Sequence, residues 1–173
     1  MSKNKKIIIA IIIVIAIGLI IFLSIKLSVP NSYENGTITE GDTAQTDTES
    51  GIDWSNTDTY TVAGSNEDVF ITKAGVYTIS GTINGTIYVK TDENVKIVLN
   101  NATITSNNKP AIYIENADNT YIEIKGDNTI DATTSENLDA AVYSKDDLII
   151  YGDGTLNITS NYDGIASKDD LTI

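Results

Sequence analysis

The chain has 173 residues, with 24 Asp and Glu against 11 Lys and no Arg, which gives a formal net charge of −13. It contains no Cys and no His, so disulfides, thiolate nucleophiles, Cys/His zinc sites and imidazole bases are excluded. A chain this acidic repels phosphate, and we therefore expect no nucleic-acid partner.

The first predicted element is a membrane span. Three Lys among the first six residues precede an uncharged stretch, 7–23, made almost entirely of Ile, Val, Leu and Ala. Extended to residue 29, it is long enough to cross a hydrocarbon core of about 30 Å. A cleaved signal peptide is the alternative, but its apolar core normally has only about 7–15 residues. We predict a basic cytoplasmic tip at 1–6 and an uncleaved single-pass anchor at 7–29, with the remainder outside the cell membrane.

Residues 30–58 are predicted to form a flexible linker. They are rich in Thr, Gly, Asn and acidic residues and show little hydrophobic periodicity, which is typical of linkers. All 24 acidic residues and 7 of the Lys lie beyond residue 29, so the part predicted to be exported carries 7 − 24 = −17. The charge of the chain is therefore divided into a basic tip and a strongly acidic exterior.

From residue 59 to residue 173, short segments of alternating apolar and polar residues predict an all-β domain. The segments TIYVK (86–90), AIYIE (111–115) and YIEIK (121–125) are examples. They are rich in Ile, Val, Thr and Tyr, and Asn, Asp and Gly separate them, as expected for strands and turns. No segment has the periodicity of a helix longer than two turns.

The strands recur in groups of three, with a spacing of 23 to 30 residues between equivalent positions. The equivalent residues are Ile87, Ile112, Val142 and Ile165 in the first strand, Ile97, Ile122, Ile150 and Ile173 in the second, and Ile104, Ile130 and Ile158 in the third. Such a period is typical of a β-solenoid with coils about 4.8 Å apart. An antiparallel sandwich has similarly spaced turns but does not predict this repeat. We predict a right-handed parallel β-helix, the handedness by analogy with crossover connections.

The end of the sequence predicts further coils downstream. Its last residues, SKDDLTI, repeat the earlier SKDDLII at 144–150 and stop inside a coil. A solenoid end normally carries a capping segment that hides its open edge. We therefore expect the β-helix to be truncated at its C-terminus.

The duplicated SKDDL predicts a stack of acidic side chains, because coil stacking brings like charges to within about 5 Å of each other. A cation between them would relieve the repulsion, and oxygen ligands without His or Cys favour Ca²⁺. The candidate ligands are Asp139, Asp146, Asp147, Asp163, Asp169 and Asp170. A solvated turn in which Lys pairs with the neighbouring Asp is the alternative.

An aromatic file is predicted on the outside of the solenoid. Tyr88, Tyr113 and Tyr143 occupy the same place in three successive coils, next to inward Ile or Val, and the file ends at Ala166. Rings along a β face suit carbohydrate, because sugar C–H faces pack on rings. A ladder that only stabilises the sheet is the alternative. For catalysis the sequence offers only Lys145 or Lys168 as weak candidate bases, and such a base needs a lowered pKa.

The segments PAIYIENADNTYIEIKGDNTI (110–130) and AAVYSKDDLIIYGDGTLNITSNYDGIASKDDLTI (140–173) resemble the bacterial carbohydrate-binding domain family. The resemblance extends over about residues 54–173. It implies a right-handed parallel β-helix similar to polysaccharide lyases, which binds cellulose and acidic sugars and holds Ca²⁺. It also implies that Asp146, Asp147, Asp163, Asp169 and Asp170 match the acidic motif of the family.

Together these features predict a membrane-anchored extracellular protein that binds a polysaccharide such as cellulose, pectin or another acidic glycan, with Ca²⁺ as a structural or bridging ion. The exterior is so acidic that an acidic glycan would be repelled without such a cation. A Ca²⁺-dependent polysaccharide lyase and a structural surface stalk or adhesin are the alternatives.

Overall fold

The computed structural model describes residues 38–40 and 51–173. The predicted cytoplasmic tip, the predicted anchor and most of the predicted linker lie outside these residues. Within the described part of the chain no helix is both long and apolar enough to cross a membrane. The predicted β domain, in contrast, is described throughout.

The described residues form β-strands joined by short turns, with no helix among them. The strands are β1 (Ile38–Glu40), β2 (Thr59–Ser65), β3 (Val69–Ile71), β4 (Gly75–Asn84), β5 (Ile87–Lys90), β6 (Val95–Asn107), β7 (Ile112–Asn116), β8 (Asn119–Lys125), β9 (Asp127–Thr133), β10 (Ala140–Ser144), β11 (Asp147–Gly152), β12 (Thr155–Ser160), β13 (Asp163–Ser167) and β14 (Leu171–Thr172). The all-β prediction is confirmed for this part of the chain.

Two sheets contain these strands. The five-stranded sheet has the order β13-β10-β7-β5-β3. The nine-stranded sheet has the order β1-β2-β4-β6-β8-β11-β14, and in addition β9 pairs with β6 and β12 pairs with β9. All pairs of neighbouring strands are parallel except β1 and β2, which are antiparallel. Each strand lies beside its equivalent from the next coil, so the arrangement is that of a parallel β-helix. The handedness of the coil stays a prediction.

The register of the strands confirms the equivalent positions that the sequence repeat predicts. In the five-stranded sheet, Ile87 pairs with Ile112, Ile112 with Val142 and Val142 with Ile165. In the nine-stranded sheet, the pairs are Ile97 with Ile122, Ile122 with Ile150, Ile104 with Ile130 and Ile130 with Ile158. Identical or similar branched side chains therefore lie on top of one another along the solenoid.

These columns of stacked side chains form the hydrophobic core, and most of their members are fully buried. Alternate residues of each strand point outward, which explains the period of two in the sequence. The second and third strands of a coil meet at a corner where the backbone takes left-handed φ. Gly81, Asn101 and Gly126 have φ of 68°, 55° and 64° there, and Gly and Asn are the residues that adopt this conformation most readily.

A segment that the sequence places in the linker packs on the outside of the nine-stranded sheet. Trp54 is 2% exposed, and its ring meets that of Tyr121 edge-on with centroids 5.7 Å apart. Val76 and Val98 complete the cluster, and Ile52 packs against it. The local composition of residues 51–58 is polar, so only the buried ring reveals that this segment covers part of the outward face.

Replacement of Trp54 by Ala is expected to lower the free energy of unfolding by about 3–5 kcal/mol, the range for large aromatic side chains removed from a packed environment. Urea unfolding followed by circular dichroism measures this change. Asn56→Ala is the matched control, because Asn56 belongs to the same segment and is exposed. Equal unfolding midpoints for the two variants would show that Trp54 does not contribute to the domain.

Candidate functional site on the five-stranded sheet

The outward face of the five-stranded sheet carries the predicted file of aromatic rings. Tyr88 is in register with Tyr113, and Tyr113 with Tyr143, and the next position is Ala166. The rings belong to a cluster separate from the main core, which places them on the outer surface. The predicted file and its end at Ala166 are therefore both present in the structure.

The file begins one coil earlier than the sequence repeat indicated. Phe70 is in register with Tyr88, and the two rings are parallel within 7°, with centroids 5.1 Å apart. Both residues are half-buried. The spacing from Phe70 to Tyr88 is 18 residues, shorter than the 25 and 30 that separate the later members. The shorter coil explains why the periodicity does not identify Phe70.

The two later rings are more enclosed. Tyr113 is 9% exposed and Tyr143 is 5% exposed. Successive rings meet at steep angles. For Tyr88 and Tyr113 the centroids are 5.7 Å apart and the ring planes make an angle of 66°, and for Tyr113 and Tyr143 the values are 5.9 Å and 64°. The file therefore consists of a parallel, half-buried pair, Phe70 and Tyr88, followed by two rings that are largely buried.

Lysine side chains provide part of this cover. The Nζ of Lys109 lies 5.5 Å from the ring centre of Tyr88, that of Lys145 lies 5.5 Å from Tyr113 and that of Lys168 lies 5.4 Å from Tyr143. These distances are within the range of cation–π attraction. Five of the seven Lys beyond residue 29 lie in the strands of this one sheet or in the turns next to them, namely Lys73, Lys90, Lys109, Lys145 and Lys168.

The pKa values of Lys145 and Lys109 oppose a role as general base for these two residues. The hydrogen bond with the Tyr113 phenol is the largest cause that raises the pKa of Lys145 above its usual value. For Lys109 desolvation lowers the pKa, but the hydrogen bond with Asp68 and the other attractive interactions outweigh it, so the pKa is raised. Both lysines are therefore protonated near neutral pH, and both act as cations rather than as proton acceptors.

Two polar clefts lie at opposite ends of these strands. The first has a volume of 440 Å³, and its lining includes Asn66, Asp68, Asn84, Asn107 and Lys109. The second has a volume of 460 Å³, and its lining includes Lys90, Asp92, Glu115, Asn116 and Lys145. Both volumes are in the range of small-ligand sites. Each cleft combines amide, carboxylate and ammonium groups, which can bind sugar hydroxyl groups.

Ion pairs neutralise one lysine in each cleft. Lys109 Nζ donates to Asp68 Oδ2 at 2.6 Å, and Lys90 Nζ donates to Glu115 Oε1 at 2.9 Å. Asp68 also holds the backbone in place, because its Oδ1 accepts a hydrogen bond from the Thr86 amide at 2.8 Å. No ion pair involves Lys145 or Lys168 within the described residues.

The structure stacks the two copies of SKDDL as the sequence predicts. Ser144 is in register with Ser167, and Leu148 with Leu171. The Ser144 and Ser167 hydroxyls both donate to the Asp146 carbonyl oxygen, at 2.7 Å and 2.9 Å. The acidic turns of consecutive coils therefore lie directly beside each other.

The carboxylates of this turn accept hydrogen bonds from neighbouring coils. Asp146 Oδ2 accepts from the Ala117 amide at 2.9 Å, and Asp147 Oδ1 accepts from the Asp170 amide at 3.2 Å. Asp139 and Asp163 are joined through the backbone, since the Asp163 amide donates to the Asp139 carbonyl oxygen at 2.8 Å. Among the described residues no three acidic side chains converge on a point that could hold a metal ion. The calcium site stays a prediction.

The family profile described as "Carbohydrate-binding domain-containing protein" matches residues 65–173. This is more than half of the chain, and the chain therefore belongs to this family. A protein of Acetivibrio thermocellus with the same description is 37% identical over 123 residues, which cover 63% of this chain and 43% of that relative. The chain thus spans less than half the length of that relative. No solved structure matches the chain significantly.

Replacement of Asp68 by Ala is expected to lower the free energy of unfolding by about 1–3 kcal/mol, because the part-buried Thr86 amide loses its acceptor. Asp68→Asn, which keeps an acceptor oxygen, is expected to recover much of this loss. Chemical unfolding measures both changes. Glu67→Ala is the matched control, because Glu67 is an exposed acid in the same cleft. A loss as large for Glu67→Ala as for Asp68→Ala would contradict the assignment.

Proposed function

We propose that the chain is a polysaccharide-binding protein that holds its ligand on the outward face of the five-stranded sheet. The observation that supports this most directly is the file of Phe70, Tyr88, Tyr113 and Tyr143, flanked at both ends of the strands by polar clefts. Membership of a carbohydrate-binding family supports the same function. The outward face of the nine-stranded sheet is less suitable, because residues around Trp54 cover its aromatic patch.

The open part of the site suits the apolar face of a sugar ring. Phe70 and Tyr88 are parallel and half-buried, with centroids 5.1 Å apart, so one face of each ring lies against the other ring. The exposed parts of the two rings form a platform on which sugar C–H groups can pack. The amide and carboxylate groups of the first cleft lie beside this platform and can bind the hydroxyl groups at the rim of the sugar. Cellulose and pectin are the ligand classes that we propose.

We also propose that residues 7–29 anchor the protein in the cell membrane and place the β-helix outside the cell. This proposal depends on the uncharged sequence of that segment and the three Lys before it. Binding is preferred to lyase chemistry because the raised pKa of Lys145 keeps the residue protonated, whereas proton abstraction requires a neutral amine.

Binding can be tested with the full chain solubilised in mild detergent and incubated with insoluble cellulose and with pectin. We expect retention on at least one of these glycans. Tyr88→Ala is expected to weaken retention by about two- to tenfold, in line with the 0.5–1.5 kcal/mol of an aromatic contact. Tyr162→Ala is the control, because Tyr162 is 47% exposed and lies outside the file. No retention of the unmodified chain on either glycan would refute the proposal and favour a stalk.

Calcium is the second part of the proposal. The donors of the acidic turn are all oxygen atoms, and Asp147 and Asp170 lie together where consecutive coils stack. We propose that these two carboxylates hold Ca²⁺ together with other oxygen ligands, which is the ligand type that this ion prefers.

Addition of about 1 mM Ca²⁺, the range of extracellular calcium modules, is expected to raise the melting temperature of the chain. Replacement of Asp170 by Asn should reduce this increase, whereas Asp153→Asn should not, because Asp153 is exposed at a different corner of the coil. Titration calorimetry gives the affinity directly. A melting temperature that responds equally to Mg²⁺ and Ca²⁺, or to neither, would refute a specific calcium site.

A further inference from the structure

The lysines of the last two coils occupy a repeated position relative to the rings. Lys145 follows Tyr143 by two residues, and Lys168 follows Ala166 by two residues. Each side chain reaches back by one coil, so that Lys145 lies across Tyr113 and Lys168 lies across Tyr143. Because the coils are in register, the two ammonium groups are repeated along the solenoid like the rings beneath them.

These lysines cover the rings that a ligand would otherwise contact. Tyr113 and Tyr143 are only 9% and 5% exposed, and neighbouring rings meet edge to face rather than in one plane. In this part of the file the group presented to solvent is the ammonium group and not the face of a ring. The site therefore has two halves. In the Phe70–Tyr88 half the lysine over the ring, Lys109, is paired with Asp68, whereas the cationic half in the later coils carries Lys145 and Lys168.

The two cations of that half are available for an external partner. Lys90 and Lys109 already pair with Glu115 and Asp68. Lys145 and Lys168 have no ion pair within the described residues. These two exposed lysines are positive charges that an anionic ligand can reach on an acidic exterior, and they lie directly before the acidic pairs Asp146–Asp147 and Asp169–Asp170.

We propose that Lys145 and Lys168 are the specificity-determining residues of this site, and that they bind the carboxylates of an acidic polysaccharide directly, one ammonium group per coil. This inference rests on the proposed polysaccharide-binding function. Coils repeat about every 4.8 Å, which is close to the length of one sugar unit in an extended chain. Successive ammonium groups then face successive sugar units, and no bridging cation is required for the contact.

The test uses two ligands that differ only in charge, polygalacturonate and its fully methyl-esterified form. Both are measured with the full chain in detergent and in the presence of a calcium chelator. The variant is Lys145→Gln combined with Lys168→Gln. The control is Lys73→Gln combined with Lys125→Gln, which removes the same charge from the turn between β3 and β4, three coils before Lys145, and from β8 of the nine-stranded sheet.

We expect the Lys145→Gln/Lys168→Gln chain to bind polygalacturonate about tenfold more weakly, the sum of two modest exposed ionic contacts. Its affinity for the esterified polymer should change less than about twofold, because that polymer has no carboxylate that could form an ionic contact with either lysine. The control chain should resemble the unmodified protein with both ligands. Added salt should weaken polygalacturonate binding of the unmodified chain more than that of the lysine variant.

A gain of affinity provides an independent check. Glu115 pairs with Lys90 and lies near Lys145. Glu115→Gln should therefore leave the ammonium groups of Lys90 and Lys145 free for the ligand. We expect this variant to bind polygalacturonate about two- to fivefold more tightly, within the range of one exposed ionic contact. Unchanged or weaker binding would count against the proposal.

The outcomes separate this inference from the proposed function. Suppose that Tyr88→Ala weakens binding of every glycan, and that the lysine variant binds polygalacturonate and its esterified form with the same affinities as the unmodified chain. The binding function then stands and the lysine assignment fails. If the chelator abolishes polygalacturonate binding by the unmodified chain, a calcium bridge recognises the acid and the assignment also fails. A selective loss for polygalacturonate in the chelated lysine variant supports it.

Discussion

The parallel register between coils is the constraint on which the rest of this structure depends. Each residue of a strand lies beside its equivalent in the next coil, so a single choice of side chain is repeated along the axis. Inward, the repetition produces columns of Ile and Val that exclude water. Outward, it produces the file of rings and the repeated lysines. The hydrophobic core and the candidate site are two faces of the same stacking.

The same stacking concentrates charge, and the structure accommodates the charge in two ways. At the SKDDL turns the carboxylates of Asp146 and Asp147 accept hydrogen bonds from backbone amides of adjacent coils. On the five-stranded sheet the lysines lie across aromatic rings, where the ring face attracts the ammonium group. A domain with a large negative charge thereby keeps lysine ammonium groups exposed beside a platform for sugar.

Much of the fold could be predicted because the information is local and repeated. The alternation within strands and the equivalence of Ile87, Ile112, Val142 and Ile165 follow from spacing alone, and the register of the sheet agrees. The role of Trp54 could not be predicted, because the residues around it are polar and its contacts are made with Tyr121, far along the sequence. Phe70 could not be predicted from the period, because the coil from Phe70 to Tyr88 has 18 residues whereas the later coils have 25 and 30.

By itself the sequence determined an all-β solenoid, its repeating positions, an outward file of tyrosines and a stack of acidic turns. These features depend on the spacing of residues, which can be read directly from one sequence. Only the tertiary structure decided that Lys145 and Lys168 lie across the rings of the preceding coil, that Lys90 and Lys109 are neutralised by ion pairs, and that the first two rings are parallel and half-buried. Such contacts depend on the direction in which long side chains reach between coils, and residue spacing does not specify that direction.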